Sequence, residues 1–438
     1  MPYALYKKTF GLFRRYSHLN FTLADQAMVS GTNFLVNILL ARALGPEEFG
    51  IFTLAWFVVL FVASLQFALV SAPMMSIAPR LSDHRAARYF GSVFAQQVIF
   101  ASASGIVVLL AALLAGYLFP DGKIDVIAVP LALATAAYQL RDFARRYLFA
   151  CSRFLAALLF DTTTYGIQLG LLGWLAFRGR LEVSDPLWIV LLSAVIGLLG
   201  IAGQIGMISL ERRHFLVVLR RHWHFSRWLG ASAILQVISS QMFLVASGFL
   251  LGTATVGALR ASQNLMGLAQ ILFFGLQNVI PIRAGNHYRH SGISGLLRYI
   301  KRMSGAMVLA TGAIVVTFAA VPEFWLVTIF GEQFSGNSSL VRWYAATYLV
   351  VALSFPISGG LWALEWTRPI FVCYAAATIV GTVTAYPFIA YFGADGAAAG
   401  ILLSEAAMVA ILLIGFVRRI RHLRSGSASG GAKRAARQ

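Results

Sequence analysis

The chain has 438 residues, of which 59% are hydrophobic and only 12% charged, and its mean hydropathy is +0.76. Soluble proteins carry about 25% charged residues, so this composition excludes a water-soluble globule. The formal net charge of +19 raises the question of nucleic acid, and the placement of the charges answers it below.

The N-terminus, MPYALYKKTFGLFRRYSHLN (residues 1–20), is basic and amphipathic and has no apolar core of a signal peptide. It is expected to lie on the cytoplasmic face against anionic lipid. After it, apolar runs of about 20 residues recur, the length that crosses about 30 Å of hydrocarbon as a helix. Spans are predicted at 21–44, 51–76, 92–119, 126–148, 155–177, 187–209, 229–251, 255–281, 304–330, 339–364, 369–391 and 395–417. The runs are continuous rather than alternating, which excludes a transmembrane β-barrel. The expected fold is therefore an all-α integral membrane protein with twelve transmembrane helices.

All but six of the 35 Lys and Arg fall in the N-terminus, the tail, the even-to-odd connections between spans, or the span ends that adjoin them. The six exceptions are Arg42, Lys123, Arg178, Arg180, Arg260 and Arg342. By the positive-inside rule both termini are cytoplasmic. The charge is thus an orientation signal and not a nucleic-acid footprint. Residues 210–228 form the longest cytoplasmic connection and read as an interfacial helix. Its histidines, His214, His222 and His224, lack metal-ligand spacing, and Cys151 and Cys373 lack it too. The organisation that follows is an N-terminal segment at 1–20, a first lobe at 21–209, the linker at 210–228, a second lobe at 229–417, and a basic tail at 418–438.

The two lobes read as repeats. Setting 39–52 (LLARALGPEEFGIF) on 246–259 (ASGFLLGTATVGAL) places Gly45 on Gly252 and Gly50 on Gly257. Six spans on each side, both starting in the cytoplasm, make a parallel repeat of two pseudo-symmetric six-helix bundles.

Polar residues inside spans are costly and face protein or a wet cavity. The first span carries Gln26, Ser30, Asn33 and Asn37 on one helical face, and the seventh carries Gln236, Ser240 and Ser247. The fifth adds Asp161, Thr164 and Gln168, and the eighth adds Gln263 and Gln270 after Arg260. Such stripes either glue helices together or line a cavity, and the two first spans striped alike favour a shared cavity. Arg42, Arg260 and Arg342 lie near the non-cytoplasmic face, where an arginine either snorkels or grips an oxyanion. Arg260, on the face with the glutamines, is the stronger candidate for a phosphate. Asp25, Asp161 and Glu405 are the candidate carboxylates for coupling to H⁺ or Na⁺, with a structural ion pair as the competing role. Glu323 lies at the outer edge and is expected in water. No Walker A, GxSxG, HExxH or DxD motif occurs, so neither a catalytic group, a metal nor a cofactor is expected.

LVNILLARALGPEEFGIFTLAWFVVLF (residues 35–61) resembles the polysaccharide transporter family, the O-antigen and exopolysaccharide flippases of the multidrug/oligosaccharidyl-lipid/polysaccharide exporter (MOP) superfamily. The likeness rests on a polar first helix with Asp25 and Gln26, the Ala41-Arg42 pair, Leu44-Gly45-Pro46, Phe49-Gly50, and an aromatic second helix. It implies two six-helix lobes in a bacterial inner membrane. It implies alternating access for a polyprenyl-diphosphate-linked oligosaccharide, with a polysaccharide polymerase and assembly proteins as partners. Arg260 and Arg42, with Arg342, would hold the diphosphate, and Asn33, Asn37, Gln263 and Gln270, flanked by Gln26 and Gln236, would line the sugar cavity. A cation-coupled multidrug exporter is the alternative of the same fold. A membrane polysaccharide polymerase or ligase normally presents a large outer loop with arginines and histidines, which this chain lacks.

Overall fold

The computed structural model describes residues 17–78, 81–119, 124–204, 211–277, 279–364, 366 and 368–435. Residues 1–16, the turn holding Lys123, positions 205–210 and the last three residues lie outside that set. The N-terminal amphipathic segment therefore falls almost wholly outside the described residues. Those that are described are helical nearly throughout, with no strand among them.

The chain divides into two compact units, Met1–Ile234 and Leu235–Gln438. In the first, α1 (Ser17–Gln66) is followed by a π-helical turn (Phe67–Ser71) and α2 (Ala72–Ile77). Then come α3 (Asp83–Leu118), α4 (Ile124–Ala150), α5 (Phe154–Phe177) and α6 (Asp185–Ile201). Helix α7 (Arg212–Leu251) begins in the first unit and ends in the second. The second unit continues with α8 (Thr253–Leu265), α9 (Gly267–Gln277), α10 (Val279–Ala320), α11 (Pro322–Phe330), α12 (Ser338–Ala363) and α13 (Arg368–Ala435).

Eight of these helices are long and apolar enough to cross a membrane. At 1.5 Å per residue a 50-residue helix reaches about 75 Å, over twice the hydrocarbon thickness, so α1 has to break. It does so at Gly45, whose φ of 79° and ψ of 173° are accessible to glycine and strained for other residues. Pro46 follows where a helix tolerates it, at the start of the second arm. Helix α13 breaks in the same manner at Gly393. The repeat read from the sequence has a backbone counterpart: Gly252, between α7 and α8, has φ 92° and ψ 167°, close to the Gly45 values.

Two predicted spans differ from the helices found. The apolar run 304–330 is not one helix. Val321 leaves the helical region (φ −133°, ψ 65°), because the proline at 322 disfavours helix at the preceding residue, and α11 starts anew. The run 255–281 is interrupted at Met266, immediately before Gly267, a poor helix former. Glu323 also departs from expectation. Its carboxylate is half-buried and accepts hydrogen bonds from the Gly336 N–H (2.7 Å) and the Ser338 hydroxyl. It thereby ties the start of α11 to the turn that precedes α12.

Within the first unit α3 packs on α4, α1 on α5, and α6 on both α4 and α5. Polar side chains bridge helices of this unit in pairs. Gln66 donates to Gln97 (3.1 Å), Gln139 to Ser104 (2.9 Å) and Gln168 to Ser193 (2.8 Å). Within the second unit α12 packs on both α10 and α13, around an apolar core that includes Leu296, Ile300, Leu361, Leu412 and Phe416. There the close approach is made by small residues: a Cβ at Gly400 would stand 2.0 Å from the Phe243 ring. Apolar side chains such as Ile106, Val107 and Leu110 of α3 point outward, as a lipid solvent requires.

Candidate functional site

The intramembrane charges of the first unit converge on α4. Its sequence RDFARR places Arg141 and Arg145 one turn apart on one face, and Asp142 and Arg146 one turn apart on the next. Arg145 forms ion pairs with two carboxylates, Asp25 from α1 and Asp161 from α5. Both aspartates are only 1% exposed, whereas Arg145 keeps 21%. Arg141, buried beside this group, donates to the Tyr165 hydroxyl (3.2 Å) and lies over the rings of Tyr138 (4.8 Å) and Tyr165 (4.6 Å). Arg146 closes on Asp142 at 2.6 Å and stacks on Phe67. The cluster is thus three arginines against three aspartates, anchored by three helices near one end of the unit. Three helices brought to one arginine form a clamp: protonating or neutralising either aspartate leaves the other to hold Arg145 alone.

The candidate carboxylates Asp25 and Asp161 are therefore brought together, by an arginine that sequence reasoning counted only as a cytoplasmic charge. The signal that identifies it is the i, i+4 repeat of arginines still inside an apolar run. Gln26, Asn33 and Asn37 share the first arm of α1. Gln26 and Asn33 are exposed, and the bonds recorded for these amides are local: Gln26 to Ser30 (3.4 Å) and Asn37 to the Asn33 carbonyl (2.7 Å). Arg42 is exposed three residues before the Gly45 break.

In the second unit Arg260 of α8 is half-buried and donates to Gln263 at 2.8 Å. Tyr344 and Tyr348 of α12, both buried, lie within its electrostatic reach. Tyr348 is shared with Glu405 of α13, and Tyr374 and Cys373 face the same carboxylate. Glu405 Oε2 is buried with no hydrogen-bond partner among the described residues. Gln236 of α7 reaches the Tyr374 hydroxyl at 3.4 Å. So Arg260, Gln263, Glu405 and Gln236 form a polar chain by proximity around Tyr348 and Tyr374, with hydrogen bonds at its two ends, Arg260 to Gln263 and Gln236 to Tyr374. Neither tyrosine was singled out by sequence, since an aromatic in an apolar run reads as core. Gln270 is exposed on α9, beyond the break at Met266, and Arg342 is exposed in the first turn or so of α12. Among the described residues no group of three or more His, Cys, Asp or Glu is placed to hold a metal ion.

What this arrangement offers is an oxyanion grip from Arg260 with tyrosine hydroxyls beside it, and a membrane-embedded carboxylate with an open acceptor. Neither protein-family models nor curated proteins give a match to the sequence. Solved structures do. A multidrug resistance MATE family transporter of the MOP superfamily in an inward-facing conformation aligns with a TM-score of 0.72 at 16% identity, covering 90% of this chain and 95% of that one. The lipid II flippase MurJ in an inward closed conformation aligns with a TM-score of 0.66 at 14% identity, covering 90% and 87%. A MOP superfamily transporter from Pyrococcus furiosus, described as having a binding pocket of reverse polarity, aligns with a TM-score of 0.64 at 15% identity over 92% and 95%. At such identities the likeness concerns architecture, and over nine-tenths of its length this chain has the all-α, two-bundle membrane fold of the MOP superfamily transporters.

Proposed function

We propose that the protein is a flippase for a polyprenyl-diphosphate-linked oligosaccharide, moving it from the cytoplasmic to the periplasmic leaflet of a bacterial inner membrane by alternating access. In this reading both termini are cytoplasmic, as the distribution of Lys and Arg indicates. The observation that carries the reading is Arg260, a guanidinium held inside an apolar bundle beside Gln263, Tyr344 and Tyr348. A planar guanidinium with neighbouring hydroxyls suits a diphosphate, which accepts several charge-assisted hydrogen bonds at once. Arg42 and Arg342 are secondary diphosphate contacts, and the amides of Asn33, Asn37, Gln263 and Gln270 serve the sugar. A polymerase and other assembly proteins are the partners such a substrate requires. The lipid II flippase of the same fold supports a lipid-linked substrate by analogy.

A second reading, a cation-coupled multidrug exporter, is favoured by one observation: the open buried oxygen of Glu405, a natural proton or cation acceptor. Deleting the gene and analysing lipid-linked intermediates separates the two. Complete repeat units accumulating on the cytoplasmic leaflet support the flippase, whereas intact polymer with altered drug resistance sinks it. Arg260→Ala is expected to abolish polymer export at normal protein levels, and full export by that variant removes Arg260 from the site.

A further inference from the structure

At the start of α3 and the start of α7, within the first unit, the structure holds a cavity of about 330 Å³. All the residues that line it belong to the first unit. From α3 it is lined by Arg85, Arg88 and Tyr89, and from α7 by His214, Val218 and Arg221. The spacing explains the convergence: residues 85, 88 and 89 share one face of α3, and residues 214, 218 and 221 share one face of α7. Tyr89 is fixed in place by a 2.8 Å hydrogen bond between its hydroxyl and His222 Nε2, and by an edge-on contact between the two rings.

Among the described residues the charge of this cavity is unbalanced. Three arginines line it, and among the described residues Glu211 pairs with one of them, 3.9 Å from Arg88 Nη1, the two side chains being 40% and 54% exposed. An exposed pair at that distance contributes little. Arg88 Nε is buried and has no hydrogen-bond partner among the described residues. Three like charges around one small cavity repel unless an anion joins them, and guanidinium forks match phosphate oxygens in particular.

The surroundings indicate where the phosphate comes from. Leu216, Val217, Leu219, Trp223 and Phe225 of α7 are 44–63% exposed, interleaved with the exposed Arg220, Arg221 and Arg227. A soluble phosphate needs no such border, whereas a lipid brings acyl chains to it, and tryptophan favours the headgroup level of a bilayer. We propose that the Arg85–Arg88–Arg221 cavity binds the phosphate headgroup of an anionic membrane lipid, with Tyr89 and His214 completing the cradle and the exposed apolar side chains of α7 receiving the acyl chains. This site stands independently of the flippase reading, because none of its residues belongs to the polar chain around Arg260.

The test is native mass spectrometry of the delipidated full-length protein titrated with phosphatidylglycerol, with phosphatidylcholine and sodium phosphate as comparators. Phosphatidylglycerol is expected to bind in preference to phosphatidylcholine. The double variant Arg85→Gln/Arg221→Gln is expected to weaken it roughly tenfold or more, the effect of losing about one charge-assisted hydrogen bond. Arg220→Gln, one residue away and outside the cavity, is expected to change it little. If the double variant fails to fold, Arg221→Gln alone gives the same reading at smaller amplitude. Equal binding of both lipids, an Arg220→Gln loss as large as that of the cavity variants, or full displacement by millimolar phosphate would each overturn the proposal, the last by assigning the cavity to the free ion.

Discussion

The two units bury ionisable side chains by opposite means. In the first, Asp25 and Asp161 are almost wholly enclosed and both meet Arg145, with Arg141 stacked alongside on tyrosine rings. In the second, Arg260 rests among Gln263 and two tyrosines, and Glu405 retains a buried oxygen without a partner among the described residues. The same residue types thus serve different ends. Where opposite charges neutralise one another the cluster ties helices together. Where hydroxyls and an amide surround them, the ionisable groups sit in a polar setting that several helices share.

Removing Arg145 tests the first half of that contrast most severely. Arg145→Ala leaves Asp25 and Asp161 enclosed together without their shared cation, and breaking a buried pair typically costs about 3–5 kcal/mol. A large drop in melting temperature of the detergent-solubilised protein is expected. Adding Asp25→Asn and Asp161→Asn to Arg145→Ala is expected to restore much of it, since neutral amides need no counterion. An Arg145→Ala protein as stable as the parent would mean that the clamp carries no structural load.

Much of the fold was legible in the sequence, and the site only partly. The pairing of Gly45 with Gly252 rests on a requirement local to each residue, a positive φ at a chain break, so a glycine pattern suffices to reveal it. The break at Val321 was masked because hydropathy registers Pro322 as tolerable in a membrane, whereas the backbone of the preceding residue responds to it. Arg145 was hidden for another reason. Orientation rules count arginines by the side of the membrane they approach, and only the packing of α1, α4 and α5 turns one of them inward onto two aspartates 16 and 120 residues away in sequence. Tyr348 and Tyr374 come near Arg260, Glu405 and Gln236 only once the chain is folded.

A smaller effect concerns α7, whose first half belongs to the first unit and whose second half belongs to the other. His222 lies before the predicted span at 229–251 and is 2% exposed. Burial, and then the neighbouring Arg221 charge, lower its pKa from 6.5 to about 4. Between those values the unfolded chain binds a proton that the folded chain refuses, so stability rises with pH across this window and is lost as pH falls through it. At pH 4.5 the loss is roughly 2–3 kcal/mol relative to neutral pH. Melting curves at pH 7.5 and 4.5 are expected to differ less in His222→Gln than in the parent. The other groups near the ring, Tyr89, Arg85, Arg88, His214 and Glu211, are retained in both proteins, so the difference isolates the imidazole. An equal pH response in both would show that the ring charges without cost.

The smallest effect bears most directly on what a polar stripe means. Glutamines occur inside predicted spans of both units, yet their surroundings differ. Gln168 is buried and donates to Ser193 at 2.8 Å across the contact of α5 with α6. Gln236 is exposed and its contact with the Tyr374 hydroxyl is stretched to 3.4 Å. Interhelical hydrogen bonds of this kind in membrane proteins contribute about 0.6 kcal/mol, and the better ones between one and two. Gln168→Leu is therefore expected to lower stability by about 1 kcal/mol, because it removes the amide donor to Ser193 Oγ, while the Ser193 hydroxyl keeps its own bond to the Val190 carbonyl (3.0 Å). Gln236→Leu is expected to change stability by less than about 0.5 kcal/mol, the usual range for an exposed position, while reducing the proposed transport, since Gln236 reaches the Tyr374 hydroxyl, which lies near Glu405. Stability and transport measured on both variants separate the roles. If Gln236→Leu destabilises as much as Gln168→Leu and leaves transport intact, the second unit's stripe is glue like the first's, and the contrast between the two units reduces to Arg260 and Glu405.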